Sequence, residues 1–174
     1  MTTSNLSWKL NIWTGCYTIY ADNDRVGYLK RDGWFTRSKT GKIHDKTYHF
    51  KVKGILCTKA EVFDADGSKI GEVDFHGWRF RATYEYLGEV FEWKYKNFWM
   101  TSWKFMKGME ERLSTKNNLT KGVMVSGADD QCLALTGLFI SSLYDDLSHG
   151  EVPPYPRIYP SGFRAIISMR SLQF

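Results

Sequence analysis

Residues 19–34 read IYADNDRVGYLKRDGW, and residues 63–78 read FDADGSKIGEVDFHGW. At a constant offset of 44 residues, Ala21 matches Ala65, Asp22 matches Asp66, Arg25 matches Lys69 and Val26 matches Ile70; Gly27 matches Gly71, Gly33 matches Gly77 and Trp34 matches Trp78. In each copy an Asp precedes Asn23 or Gly67, between strand-like flanks. Asn and Gly enter positive φ at the least cost, which tight hairpin turns require. Gly27 and Gly71 then fall in or beside the returning strand, where glycine marks a bulge or the close approach of a large group. Trp34 and Trp78, after Gly33 and Gly77, are the large side chains expected there. Each copy predicts strand, tight turn, strand, second turn, strand.

Outward from the repeat, the period stays at two from Trp8 to about Val125. In WRFRATYEY, Trp78, Phe80, Ala82, Tyr84 and Tyr86 share one face, and Arg79, Arg81, Thr83 and Glu85 the other. In VFEWKYKNF, Phe91, Trp93 and Tyr95 oppose Glu92, Lys94 and Lys96. Such alternation predicts half-buried antiparallel strands. Further strands are expected near 8–13, 47–53, 90–96, 100–106 and 121–125, about ten to twelve in all. A sheet that wide splits or closes, and closure removes exposed edges.

After SGAD the pattern changes. Residues 130–147 carry Leu133, Leu135, Leu138, Phe139, Ile140, Leu143, Tyr144 and Leu147, apolar around most of a helical circumference. Ser126 or Asp129 could cap this helix, and Gly150 followed by Pro153 stops it. At about 27 Å it is too short to span a bilayer, and a helix apolar on nearly all sides is buried in protein. A mainly β fold follows: a closed antiparallel barrel of about twelve strands around a central hydrophobic helix, the alternative being a β-sandwich with one covering helix. Asp145 and Asp146, at the end where the helix dipole disfavours acids, call for solvent or a nearby cation.

The DADGSKIGEV hairpin, the GW after the returning strand and the segment DDQCLALTGLFISSLYDD together resemble the tubby-like fold superfamily, in particular its phospholipid-scramblase and LURP-one-related branch. The resemblance covers about residues 8–147. It implies a twelve-stranded antiparallel barrel around a helix near the C-terminus and, by analogy, recognition of lipid head groups. The chain departs from the pattern by continuing some two dozen residues past the helix. It also lacks the tubby C-terminal signature and the scramblases' cysteine-rich segment and terminal membrane helix. The expected organisation is a barrel over 1–150 and an extension over 151–174, packed on the barrel or serving as a partner-binding arm.

The 174 residues fit one domain, with 24 Lys and Arg against 19 Asp and Glu. The net charge of +5 permits an anionic partner without demanding one. Cys16, Cys57 and Cys132 form no CxxC pair, and an odd count suits a reducing compartment. The opening MTTSNLSWKLNIW does not read as a secretory signal, so a cytoplasmic location is expected.

No diagnostic catalytic motif is present, and no cofactor or metal is expected. His44 and His49 in HDKTYH lack a third convergent ligand, and DADGS lacks the later ligands of a calcium loop. The candidate anion-binding surface is the wet face of neighbouring strands: Arg79, Arg81, Lys94, Lys96 and Lys104, with Glu85 and Glu92 interrupting it. Three functions are weighed: a non-catalytic module for phospholipid head groups or a protein partner, a single-stranded nucleic-acid binder, and an enzyme of unrecognised class. Inward-alternating aromatics count against the second, which needs exposed stacking platforms.

Overall fold

The computed structural model describes residues 3–33, 36–54, 56–77, 80–97, 100–117, 120–127 and 131–148. Twelve strands precede one helix. They are β1 (Thr3–Asn11), β2 (Cys16–Ala21), β3 (Asp24–Arg31), β4 (Lys39–Ile43), β5 (Lys46–Lys53) and β6 (Lys59–Phe63), then β7 (Lys69–Phe75), β8 (Arg81–Tyr86), β9 (Glu89–Tyr95), β10 (Trp103–Lys107), β11 (Glu110–Asn117) and β12 (Lys121–Gly127). Every strand pairs antiparallel with its sequence neighbours, and β12 pairs β1 to close the barrel. The closed alternative is therefore the one observed. Connections alternate between two rims. The first rim carries β1–β2, β3–β4 and every second connection after them, and the other rim carries the rest.

The two copies of the repeat become the β2–β3 and β6–β7 hairpins, in like places. Asp22 and Asn23 both take positive φ, at 49° and 75°. The later turn is wider: Asp64 N–H donates to Ser68 O at 3.0 Å, and Gly67 takes φ of 81°. Both hairpins shift register at the matched residues. Ile19 pairs Gly27 and Tyr20 pairs Arg25, leaving Val26 extra; Val62 pairs Gly71 and Phe63 pairs Lys69, leaving Ile70 extra. The glycines thus mark bulges, as expected, and also close contacts. A Cβ on Gly27 would lie 2.2 Å from Lys42 O, and one on Gly71 would lie 2.5 Å from Glu85 O. The next strand's backbone makes these approaches, together with the Tyr84 ring at Gly71. Trp34 and Trp78, expected in that role, lie outside the described residues.

Alternation delivers the core. Leu6, Trp8, Ile19, Leu29, Phe50, Val62, Val73, Tyr84, Trp93, Trp103, Phe105 and Met124 all face inward and are buried. The helix α1 (Gln131–Ser148) fills the space they enclose, and Cys132 through Ile140 are buried without a break. Its contacts run round the barrel wall. Phe139 stacks on Phe50 at 4.6 Å and meets Phe75 edge-on, while Tyr144 stacks on Trp93 at 5.6 Å. Leu135 packs over Gly41, and Gly137 under Trp103. Of the two expected caps, Ser126 belongs to β12, where it pairs Ser4, and Asp129 lies outside the described residues. The extension over 151–174 and the Gly150 stop also lie outside them.

The acid at the helix end finds its cations. Asp146 takes Arg31 Nη2 at 3.0 Å on one oxygen and Lys39 Nζ at 3.0 Å on the other. Lys39 points inward, only 3% exposed, and also donates to Ser142 Oγ at 2.7 Å. Burial pulls its ammonium below the ordinary lysine value, and Asp146 opposes that pull.

Two substitutions test this packing. Gly137→Ala would place a Cβ 2.1 Å from the Trp103 ring. Overpacking of this kind costs roughly 1–3 kcal/mol, against about 1 kcal/mol gained in helix propensity, so the urea midpoint should fall. Asp146→Asn leaves Lys39 buried without its carboxylate and should cost about 3 kcal/mol in urea unfolding at neutral pH, most of it recovered when Lys39→Met is added.

Candidate anion-binding face

Of the five residues expected to form a basic surface, register aligns three. Arg81 pairs Lys94, and Lys94 pairs Lys104, so three of them form one row across the outer faces of β8, β9 and β10. Arg79 lies outside the described residues. The row is partly neutralised: Glu92 takes Lys94 at 2.9 Å and Arg81 at 3.5 Å. Glu111 takes Lys104 at 3.2 Å and Lys96 at 3.5 Å. Burial pushes the Glu111 carboxyl up, but hydrogen bonds from Ser114 and Lys104, with the charges of Lys96 and Lys104, hold it below its ordinary value. Glu92 interrupts the stripe as expected; Glu111 is a second interruption, from the neighbouring strand.

Ion pairing continues over β6 and β7. Glu61 takes Lys53 and Lys69, Glu72 takes Lys59 and Lys69, and Asp74 takes Lys59. The opposite wall differs in composition. Strands β12, β1, β2, β4 and β5 contain seven lysines and neither Asp nor Glu. On β3 the acid is Asp24, and on β11 the acids are Glu110 and Glu111, all near the second rim.

Within this wall the closing seam gathers three ammonium groups. Lys9 of β1 stands directly opposite Lys121 of β12. Lys116 of β11 is diagonal to Lys121, its direct partner being Val123. Like charges facing across a strand pair are destabilising, so the fold holds this cluster at a cost. Lys9, Lys116 and Lys121 border one open groove of about 360 Å³, with Ser7, Trp8 and Val123. Among the described residues, Lys9 and Lys116 have no carboxylate partner; the Lys9 ammonium lies 5.4 Å from the centre of the Tyr20 ring. Lys30 sits likewise over Tyr28 at 5.4 Å. On β8, β9 and β10 the aromatics Tyr84, Phe91, Trp93 and Trp103 alternate inward as expected, whereas Tyr20 and Tyr28 on β2 and β3 are partly exposed.

Other chemistry-bearing side chains are engaged structurally. Among the described residues no group of three His, Cys, Asp or Glu could hold a metal. His76 meets Thr83 at 2.6 Å and His49 meets Thr40 at 3.1 Å, both on the outer wall. In DADGS, Asp64 Oδ1 accepts from the N–H groups of Asp66 and Ser68, which is turn geometry. Lys39 beside Ser142 has the composition of a nucleophilic dyad. The Ser142 hydroxyl, however, donates to Phe139 O at 2.7 Å and is 2% exposed. Arg37 contacts the buried Cys57 thiol. No helix among the described residues is long and apolar enough to cross a membrane.

No family model matches the chain, and no curated protein does. Among solved structures it is similar to a protein from Arabidopsis thaliana, at 11% identity and a TM-score of 0.43, over 82% of this chain and 91% of that one.

The ion-paired wall gives an acid-stability prediction. Hydrogen bonds from Lys59 and Lys69 hold the Glu72 carboxyl down at about 2. A depressed folded-state value contributes stability above the ordinary carboxylate range, and that stability is lost as pH falls through about 2. The drop in melting temperature between mildly acidic and strongly acidic buffer should therefore be smaller in Glu72→Gln.

Proposed function

We propose that this barrel is a non-catalytic module that binds anionic phospholipid head groups through the wall around the β11–β12–β1 seam. The observation carrying this reading is the Lys9, Lys116 and Lys121 cluster around one groove, in a wall whose central strands contain no acid. The resemblance of the hairpin and helix pattern to the tubby-like fold, scramblase and LURP-one-related branch, supports it. So do Cys16, Cys57 and Cys132, none of them in a disulfide, which suits a reducing compartment bordered by anionic leaflets. The Arg81, Lys94, Lys96 and Lys104 row is a weaker site in this reading, because Glu92 and Glu111 already occupy it.

Co-sedimentation with phosphatidylcholine vesicles, with and without phosphatidylserine, tests it. Binding should require phosphatidylserine and weaken as salt is raised. A basic residue at an anionic surface contributes about 1 kcal/mol, so Lys9→Ala and Lys116→Ala should each lower the partition constant roughly fivefold. Lys94→Ala should change it far less. Equal binding by all variants would remove the seam as the site.

A second reading, a single-stranded nucleic-acid binder, is favoured by Tyr20 and Tyr28, which lie outward beneath Lys9 and Lys30. Stacking on such rings is worth about 1–3 kcal/mol per base. Tight, salt-sensitive oligonucleotide binding that Tyr20→Ala and Tyr28→Ala abolish would establish it in place of the lipid reading.

A further inference from the structure

The β1–β2 connection presents Ile12 and Trp13 to solvent, 67% and 91% exposed. The three other described tryptophans, Trp8, Trp93 and Trp103, are at most 4% exposed. Exposing a large indole and a branched aliphatic side by side forgoes burial that the same residue types obtain elsewhere in this chain. The turn holds them there. Asn11 Oδ1 accepts from Trp13 N–H at 3.0 Å and from Thr14 N–H at 3.3 Å. Asn11 O accepts from Gly15 N–H at 2.8 Å, with Gly15 at φ of 64°. A turn tied at its base by three hydrogen bonds presents its apolar tip at little further cost in ordering.

The lysine cluster sits just behind this tip. Lys121 opens β12 at the first rim, Lys116 is one residue from the end of β11, and Lys9 is two residues from the end of β1. Two residues of strand span about 7 Å. That setback matches the roughly 5–10 Å depth at which apolar faces lie beneath lipid head groups. Leu56, 82% exposed, belongs to the β5–β6 connection on the same rim.

The two rims differ in sequence as well. Among the described residues, the connections of the first rim contain Trp13 and one acid, Asp32. Among the described residues, the connections of the second rim contain no tryptophan, no lysine and no arginine, and carry Asp22, Asp45, Asp64 and Asp66. The second rim also has exposed apolar tips, Leu87 and Met109, but an anionic bilayer repels the acids around them.

Resting on the lipid reading above, we propose that the barrel docks end-on: the first rim faces an anionic bilayer, Ile12 and Trp13 insert to the boundary between head groups and acyl chains, and Lys9, Lys116 and Lys121 engage lipid phosphates. Tryptophan prefers that depth because its ring is apolar and its N–H polar. An aliphatic neighbour gains there too, whereas a stacking platform for bases has no use for Ile12. The acidic rim, at the far end of the barrel, fixes the orientation.

The test uses the full chain in a Cys16→Ser background, since Cys57 and Cys132 are buried. An environment-sensitive fluorophore is placed at Thr14→Cys, beside the tip, or at Met109→Cys on the second rim. With phosphatidylcholine–phosphatidylserine vesicles, the label at 14 should shift to the blue and be quenched by bromine-labelled acyl chains, and the label at 109 should do neither. Trp13→Ala, with an unchanged melting temperature, should weaken vesicle binding by about tenfold, as expected for losing one partly buried aromatic anchor. Vesicle binding with no change at 14, or with the change at 109 instead, would overturn end-on insertion and leave the lipid reading standing. No vesicle binding by the unmodified chain would overturn both. Trp13→Ala weakening oligonucleotide binding as much as vesicle binding would also overturn insertion, because the turn would then be a stacking platform.

Discussion

The structure depends on one fit, an apolar helix inside a ring of twelve strands. Eight strands close on a space their own side chains can fill; twelve enclose more. Here α1, roughly 10–12 Å across with its side chains, takes up the difference. The fit is specified in pairs of large and small groups. Trp103 is accommodated because residue 137 is glycine, and Leu135 because residue 41 is glycine. Where the wall stands further off, rings from both sides meet, as Phe50 and Phe139 do, or Trp93 and Tyr144. The helix has almost no polar side to spare, so removing it would leave inward aromatics on most strands facing water.

Burying a helix to its last turn creates an electrostatic problem at its C-terminus, where carbonyl groups already accumulate negative charge. Asp146 adds more. Arg31 and Lys39 answer it from adjacent strands, both at the first rim. Lys39 differs from the lysines of the outer wall in parity alone: it occupies an inward position in an alternating strand. The same residue type therefore acts as an internal counter-ion at 39 and as part of a solvent-facing cationic wall at 9, 116 and 121. The wall is cationic because β12, β1, β2, β4 and β5 contain no carboxylate, while the acids of β3 and β11 lie near the second rim.

Most of the architecture was legible because two signals do not depend on distant partners. Period-two alternation assigns the inward residues Ala82, Tyr84, Phe91 and Trp93 from the sequence alone, and continuous apolarity marks α1 as buried. The repeat placed both bulges through Gly27 and Gly71. Strand β11 escaped notice because EERLSTKN offers one large apolar inward residue, Leu113, beside Thr115, whose hydroxyl accepts from Trp103 N–H. The binding face was harder. Barrel closure brings Lys9, from the start of the chain, beside Lys116 and Lys121 near the end of the sheet, and only that closure joins β1 to β12. The expected row of Arg81, Lys94 and Lys104 was easier to see because its strands are consecutive, yet its neutralisation by Glu111 again required knowing which strand lies alongside.

Parity also explains how a single chain can write two unlike rims. In an up-and-down barrel each connection lies on the opposite side from the one before it, so residues at alternate connections collect at one end. The two copies of the repeat are four strands apart, an even number, and both turns therefore open on the same, acidic rim. The 44-residue echo thus accounts for more than two similar hairpins: it carries Asp22 and Asp66 to one end of the barrel. An odd separation would have divided those acids between the rims and cancelled the contrast with the end that holds Trp13. The polarity of the molecule is consequently a property of strand counting as much as of composition, and it would survive drift in the individual loops as long as no strand was gained or lost.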